Sequence, residues 1–148
     1  MRLLIQRVKR GSVTVADKLI SQIGPGLVIL VGVGKGDTTE QADWLAEKTA
    51  NLRIFEDEAG KMNRSVLEAG GSALVVSQFT LYANTEKGRR PSFIEAALPE
   101  EAEPLITYYT KRLQFHGLSA QTGIFRADML VEIQNDGPVT IWLEKSLE

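Results

Sequence analysis

The chain of 148 residues contains no cysteine and a single histidine, His116. Without cysteine there is no thiolate nucleophile, no disulfide and no thiolate zinc site. One histidine excludes metal motifs built on two, and it leaves most Ser-His-Asp arrangements without a base. An excess of positive charge is also missing: 17 Lys and Arg stand against 19 Asp and Glu, for a formal net charge of −2. A surface that neutralises many phosphates is therefore excluded, DNA is not an expected partner, and any nucleic acid must be held by a local basic patch. Long apolar runs are absent as well. The longest, residues 27–33, is interrupted by Gly32 and falls far short of the roughly 20 residues a membrane span requires, so no membrane partner is expected. Near the N-terminus, Gln6, Arg7, Lys9 and Arg10 break any signal-peptide core, and a cytoplasmic location is expected. What is present is ordinary: 43% hydrophobic and 24% charged residues, enough apolar material for one globular domain over residues 1–148.

Residues 3–8, 12–15 and 19–23 read as consecutive strands, the last running into Gly24-Pro25-Gly26. The continuous Leu, Val and Ile run at 27–33 has the pattern of a strand buried on both faces. Asp37 and Glu40 resemble a capping box ahead of Ala42, Leu45, Ala46, Thr49 and Leu52, which predicts a helix over about 38–52. A short β-like stretch at 53–55, a polar turn at 56–61 and a strong strand at 73–81 follow. Pro99, an acidic first turn, an apolar stripe through Leu105, Ile106, Tyr109 and Leu113, and Gly117 mark a second helix. Pro104 belongs to an early turn of that helix or kinks it. Strands at 129–133 and 139–143 are joined by Asn135-Asp136-Gly137-Pro138. The expected fold is a single α/β domain: a mostly antiparallel or mixed, barrel-like sheet with two main helices covering one face. The other face must close on itself or meet a second subunit.

Four groups of residues have chemical potential. Ser77, Gln78, Phe79 and Thr80 place hydroxyl and amide groups at the end of a buried strand, where sites often lie; local backbone bonding by Ser77 and Thr80 is the equally weighted structural role. Lys87, Arg89 and Arg90 around Gly88 form a basic loop suited to phosphate, with an ordinary solvated turn the plainer reading of the residues alone. Arg7 and Lys9 share a strand face, and Lys61 and Arg64 add a third basic pair. Gly137-Pro138 sits between two strands, where proline cannot donate to a ladder. A bulge, an edge turn or a cis peptide accounts for it, an ordinary hairpin being the plainer reading. His116, near a helix C-terminus, complements the helix dipole. The acidic run Glu56, Asp57 and Glu58 reads as a solvated turn, and GVGKGD at 32–37 lacks the spacing of a nucleotide-binding loop.

The motifs SQFTLY (77–82), KGRRPSF (87–93) and NDGPVT (135–140) resemble the D-aminoacyl-tRNA deacylase family, formerly called D-tyrosyl-tRNA deacylase. QRV at 6–8, IGPGLVILVGV at 23–33, LRIFEDEAGKMNRSV at 52–66 and ADM at 127–129 are similar to it in order and spacing, so the resemblance spans essentially the whole chain. It implies a homodimer that hydrolyses the ester between a D-amino acid and the 3′-terminal adenosine of tRNA, also removes mischarged glycine, and spares L-aminoacyl-tRNA. It implies that Gly137-Pro138 is cis and enters the pocket of the other subunit, that Ser77, Gln78, Phe79 and Thr80 line that pocket, and that Phe125 helps seat the terminal adenine. Arg7, Lys87 and Arg89 are expected on the substrate side, and no metal or cofactor is expected. One departure is visible: the family usually has glycine after that phenylalanine, and this chain has Arg126. An activated ester beside a ribose 2′-OH can be cleaved by positioning and backbone donors, which fits an inventory without a His-Ser pair. A Thr80 nucleophile and a non-catalytic tRNA-binding module are the competing readings.

Overall fold

A computed structural model describes residues 1–147. The elements in chain order are β1 (Arg2–Val15), β2 (Lys18–Ile23), β3 (Gly26–Gly32), α1 (Thr39–Asn51), β4 (Phe55–Glu56), β5 (Met62–Arg64), β6 (Ser72–Ser77), a 3₁₀ turn (Phe79–Tyr82), α2 (Pro99–Phe115), β7 (Ala120–Thr122) and β8 (Leu130–Glu144). Strand β1 pairs antiparallel with β3 and β2 along one edge and with β8 along the other. β6 and β7 continue the sheet in parallel register. The Gln121 side chain of β7 then reaches back to β2, accepting from Gln22 N and donating to Gln22 O. The sheet is thus mixed and nearly closed, as expected.

Alternation sorts the side chains. Leu3, Ile5, Leu27, Ile29, Val31, Ala73 and Val75 face α1 and α2, and pack with Leu45, Ile106, Tyr109 and Leu113 in the main core. Val13, Val28, Leu74 and Val76 point to the opposite face, where Met129, just before β8, and Val131 and Ile133 of β8 cover them. Both helices therefore lie on one face, and the sheet curls to close the other. The buried Tyr109 hydroxyl finds its partner in Thr49 Oγ1 at 2.9 Å, joining the two helices.

Four expectations need correction. The first two predicted strands are one, β1, running through Gly11. The helix cap is Thr38, whose hydroxyl accepts from Glu40 N while Gln41 Oε1 accepts from Thr38 N at 2.7 Å. Asp37 is drawn away from capping by the N-terminal ammonium at 2.7 Å and by Gly34 N at 2.7 Å. The predicted strand at 73–81 stops at Ser77 and turns. Finally, no hairpin separates the last two predicted strands: β8 is continuous, and the Gly137-Pro138 peptide is cis within it. Register shows how. Gln6 pairs with Thr140 and Val8 with Asn135, so one residue of β1, Arg7, faces four of β8, residues 136–139. The motif is a bulge opposite Arg7.

Candidate functional site

Strand β6 ends because Gln78 N–H donates to Val31 O at 2.8 Å and the following residues adopt i→i−3 bonding, with Leu81 N to Gln78 O at 3.1 Å and Ala83 N to Thr80 O at 3.0 Å. Buried Tyr82 anchors this turn. A Cβ added to Gly34 would lie 2.8 Å from the Tyr82 hydroxyl, and one added to Gly32 would lie 3.0 Å from Leu81 Cβ. Gly32 and Gly34 of GVGKGD therefore serve close packing under the turn. Arg2 completes the support. Its guanidinium lies 4.3 Å from the Tyr82 ring centroid, donates to Leu81 O at 2.9 Å, and pairs with Glu144 at 2.8 Å. The hydrogen bond from Arg2 holds the Glu144 carboxyl below the usual carboxylate range, while burial, with Asp37 nearby, pushes the Tyr82 hydroxyl up.

Beside the turn opens a cavity of about 590 Å³. Ser77, Gln78 and Phe79 line it from the end of β6, Ile106 from α2, and Phe125 and Arg126 from the loop before β8. Phe93 closes one side, its ring 5.0 Å from that of Phe79 in an edge-on arrangement. Phe125 is shared with a smaller pocket of about 110 Å³, to which Ser77, Glu103, Thr107 and Thr122 contribute polar groups. Thr80 is not among the residues lining the larger cavity; it is exposed, and its Oγ1 accepts from the Gln78 side-chain amide. An amide is not a base, so the turn gives Thr80 no activating partner.

The bulge on β8 is built separately. Asn135 and Thr140 clasp its base, Asn135 Nδ2 donating to Thr140 Oγ1 at 2.9 Å and Val139 N to Asn135 Oδ1 at 3.2 Å. Buried Arg7 holds it from the opposite strand, Nε donating to Asp136 O at 3.1 Å and Nη1 to Ile54 O at 2.8 Å. Asp136 Oδ2 at 3.7 Å and Glu56 Oε1 at 3.9 Å balance its charge. Gly137 has φ +125°, and a Cβ there would lie 2.9 Å from Arg7 Nη2 and 2.9 Å from Val139 Cγ2; only glycine suits it. Arg7, Gly137 and Pro138 do not line the cavity that holds Ser77, Gln78 and Phe79. One chain therefore carries two halves of the expected site without joining them.

The predicted basic loop lies on the surface. Asn84 and Ser92 bond to each other through both backbone pairs, at 2.8 and 2.9 Å, and Gly88 turns between them with φ +68°. Lys87, Arg89 and Arg90 project from it, all three exposed. His116 is the C-cap of α2, its backbone N–H on Arg112 O at 3.1 Å. Among the described residues, no three His, Cys, Asp or Glu side chains gather as a metal-binding group. Sequence reading missed Arg2 and Tyr82 as supports of the 77–80 segment; a lone basic residue at the start of a strand carries no signal for a contact 79 positions away.

Residues 4–144 match the family model described as D-Tyr-tRNA(Tyr) deacylase. The chain belongs to this family. A protein of Thermomicrobium roseum named D-aminoacyl-tRNA deacylase is 61% identical over 99% of this chain and 95% of its own length. One of Heliobacterium modesticaldum, with the same name, is 59% identical over 97% and 96%. Among solved structures, that of a protein named c-Myc DNA Unwinding Element Binding Protein superposes with a TM-score of 0.93 at 42% identity, covering 99% of this chain and 100% of that one. The matched span includes the residues of the cavity, the basic loop and the bulge.

Proposed function

We propose that this chain is an editing hydrolase that cleaves the ester of D-aminoacyl-tRNA to free D-amino acid and tRNA. Family membership together with the cavity at the end of β6 carries this reading. The cavity is largely apolar, with Ser77 and Gln78 at one end and aromatic rings at Phe79, Phe93 and Phe125, which suits a nucleoside bearing a small acyl group. The terminal adenine lies against Phe125. Phe79 N–H and Thr80 N–H, ahead of the first bonded position of the 3₁₀ turn, have no acceptor within it and are available to a developing oxyanion. The 2′-OH of the terminal ribose assists, because Thr80 has an amide and no base beside it.

The second copy of the chain completes the site. In one chain the Gly137-Pro138 bulge stands outside the cavity, β8 has a partner along one edge only, and Phe79 and Leu98 on the cavity wall are 58% and 59% exposed. A long unpaired edge and an apolar rim both call for cover. A homodimer in which the bulge of one subunit enters the cavity of the other supplies it. The backbone there fills the space an L side chain needs, so D-aminoacyl and glycyl esters pass and L-alanyl ester does not. Lys87 and Arg89 meet tRNA phosphates from the exposed loop.

The test is release of amino acid from D-aminoacyl-, glycyl- and L-alanyl-tRNA. Hydrolysis of the first two above the protein-free rate, with the third spared, is expected; no acceleration of the first leaves a binding module instead. Thr80→Ala retains substantial turnover, and a substrate ending in 2′-deoxyadenosine is nearly inert. A loss on the order of a millionfold in Thr80→Ala would make Thr80 the nucleophile. Sedimentation is expected to find a dimer, and a fully active monomer would overturn the shared site.

A further inference from the structure

Arg126 is an unusual residue in an unusual place. Ala127 N donates to Ile124 O at 3.2 Å, which closes a turn with Phe125 and Arg126 at its centre, and Arg126 has φ +68°. Glycine is the residue for that position; an arginine puts a long cationic side chain where a turn normally has none. Arg126 is also the one charged residue among those lining the 590 Å³ cavity, whose walls are otherwise apolar or neutral. Its side chain has no hydrogen-bond or ion-pair partner among the described residues, and it is exposed.

A lone guanidinium on an apolar wall fits a ligand that is mostly apolar and carries one anionic group. The reacting end of an aminoacyl ester offers none: its amino group is cationic, and its ester, ribose and adenine are neutral. The nearest anion is the phosphodiester on the 5′ side of the terminal nucleoside. Arg126 adjoins Phe125, against which that nucleoside's base is placed. We propose, resting on the deacylase reading above, that Arg126 binds the 5′-phosphate of the terminal nucleotide and so makes the site prefer a phosphate-bearing ester over a bare nucleoside ester. It is a specificity residue for the nucleotide, not for the amino acid.

The experiment compares 3′-O-(D-phenylalanyl)adenosine with its 5′-monophosphate, using native protein, Arg126→Gly, Arg126→Gln and Arg126→Lys. Arg126→Gly suits the turn and keeps the fold. The ratio of kcat/KM for the phosphorylated over the bare ester is expected to fall roughly tenfold in the Gly and Gln variants, through KM, and to fall less in Lys, as expected for loss of one charge-assisted contact. With intact aminoacyl-tRNA, the slope of log KM against log salt should shrink by about 0.7. An equal change for both esters, or none, overturns the proposal. So does a selective loss of D-aspartyl- over D-phenylalanyl-adenosine, which would assign Arg126 to the amino-acid side chain. Calorimetry with adenosine and adenosine 5′-monophosphate repeats the comparison without chemistry. If native protein cleaves neither ester, the deacylase reading falls while calorimetry still decides Arg126: equal affinity for the nucleoside and the nucleotide, or none for either, overturns it.

Discussion

Arg7 shows how one side chain holds a bulge across a strand pair. It is buried, its guanidinium is shared between Ile54 O and Asp136 O, and it occupies the single β1 position facing the four-residue bulge. Arg7→Ala leaves the Ile54 carbonyl buried without that donor and is expected to cost about 1–3 kcal/mol. It should also blunt discrimination between D- and L-esters, since the bulge loses its tether. Arg7→Lys keeps the charge but not the fork; it should recover part of the stability and little of the discrimination. Thermal unfolding paired with the D/L rate ratio checks both, and an unchanged ratio in Arg7→Ala would separate Arg7 from the bulge's role. Sequence reading put Arg7 on the substrate side, in a basic run on a strand face shared with Lys9. Its contacts lie 47 and 129 positions away, beyond the reach of any local pattern. Gly137 and Pro138 were legible as an anomaly, because proline in a strand needs a reason; that the reason is a bulge needed the register of β1.

At the scale of elements, periodicity worked where the periods were long. Both helices and the core strands β3 and β6 were legible from runs of apolar residues, since burial on two faces leaves few other arrangements. The end of β6 was not. Residues 78–81 continue a strand-like composition, but the chain turns because Tyr82 is drawn under Arg2 and onto Gly32 and Gly34. That tertiary force outweighs local preference, and it is what exposes the Phe79 and Thr80 amides. Strand pairing makes an equally sharp demand at Gly26, paired with Ser72, where a Cβ would lie 1.8 Å from Ser72 O. Gly26→Ala must part β3 from β6 and is expected to cost more than about 3 kcal/mol, or to yield no folded protein. Gly24→Ala, with nothing within 4 Å of the added Cβ, is the matched control and should stay near native stability.

For the whole molecule, two buried tyrosines set the alkaline limit. Burial raises both Tyr82 and Tyr109 above their ordinary value of 10.0. The folded chain thus holds protons that the unfolded chain releases from about pH 10 upward. Their contribution is complete below that value and is lost as the pH rises from there through their raised folded values. Unfolding midpoints should fall steeply above about pH 10, and less steeply in Tyr82→Phe; an unaltered slope in that variant would show that Tyr82 ionises freely in the folded protein. The mixed, nearly closed sheet was legible as a class, while its path was not. Nothing local tells β1 that one of its neighbours is the last strand of the chain.

That neighbour sets an order of events in folding. Arg2 pairs with Glu144 across 142 positions, and loops of that span close late. The core of β3, β6, α1 and α2 can assemble from nearer partners, but the bulge opposite Arg7 exists only once β8 has docked. The core precedes the bulge. Substitutions in β8 should therefore speed unfolding more than they slow refolding, and a chain still being synthesised would hold the packed core before the strand that carries the bulge.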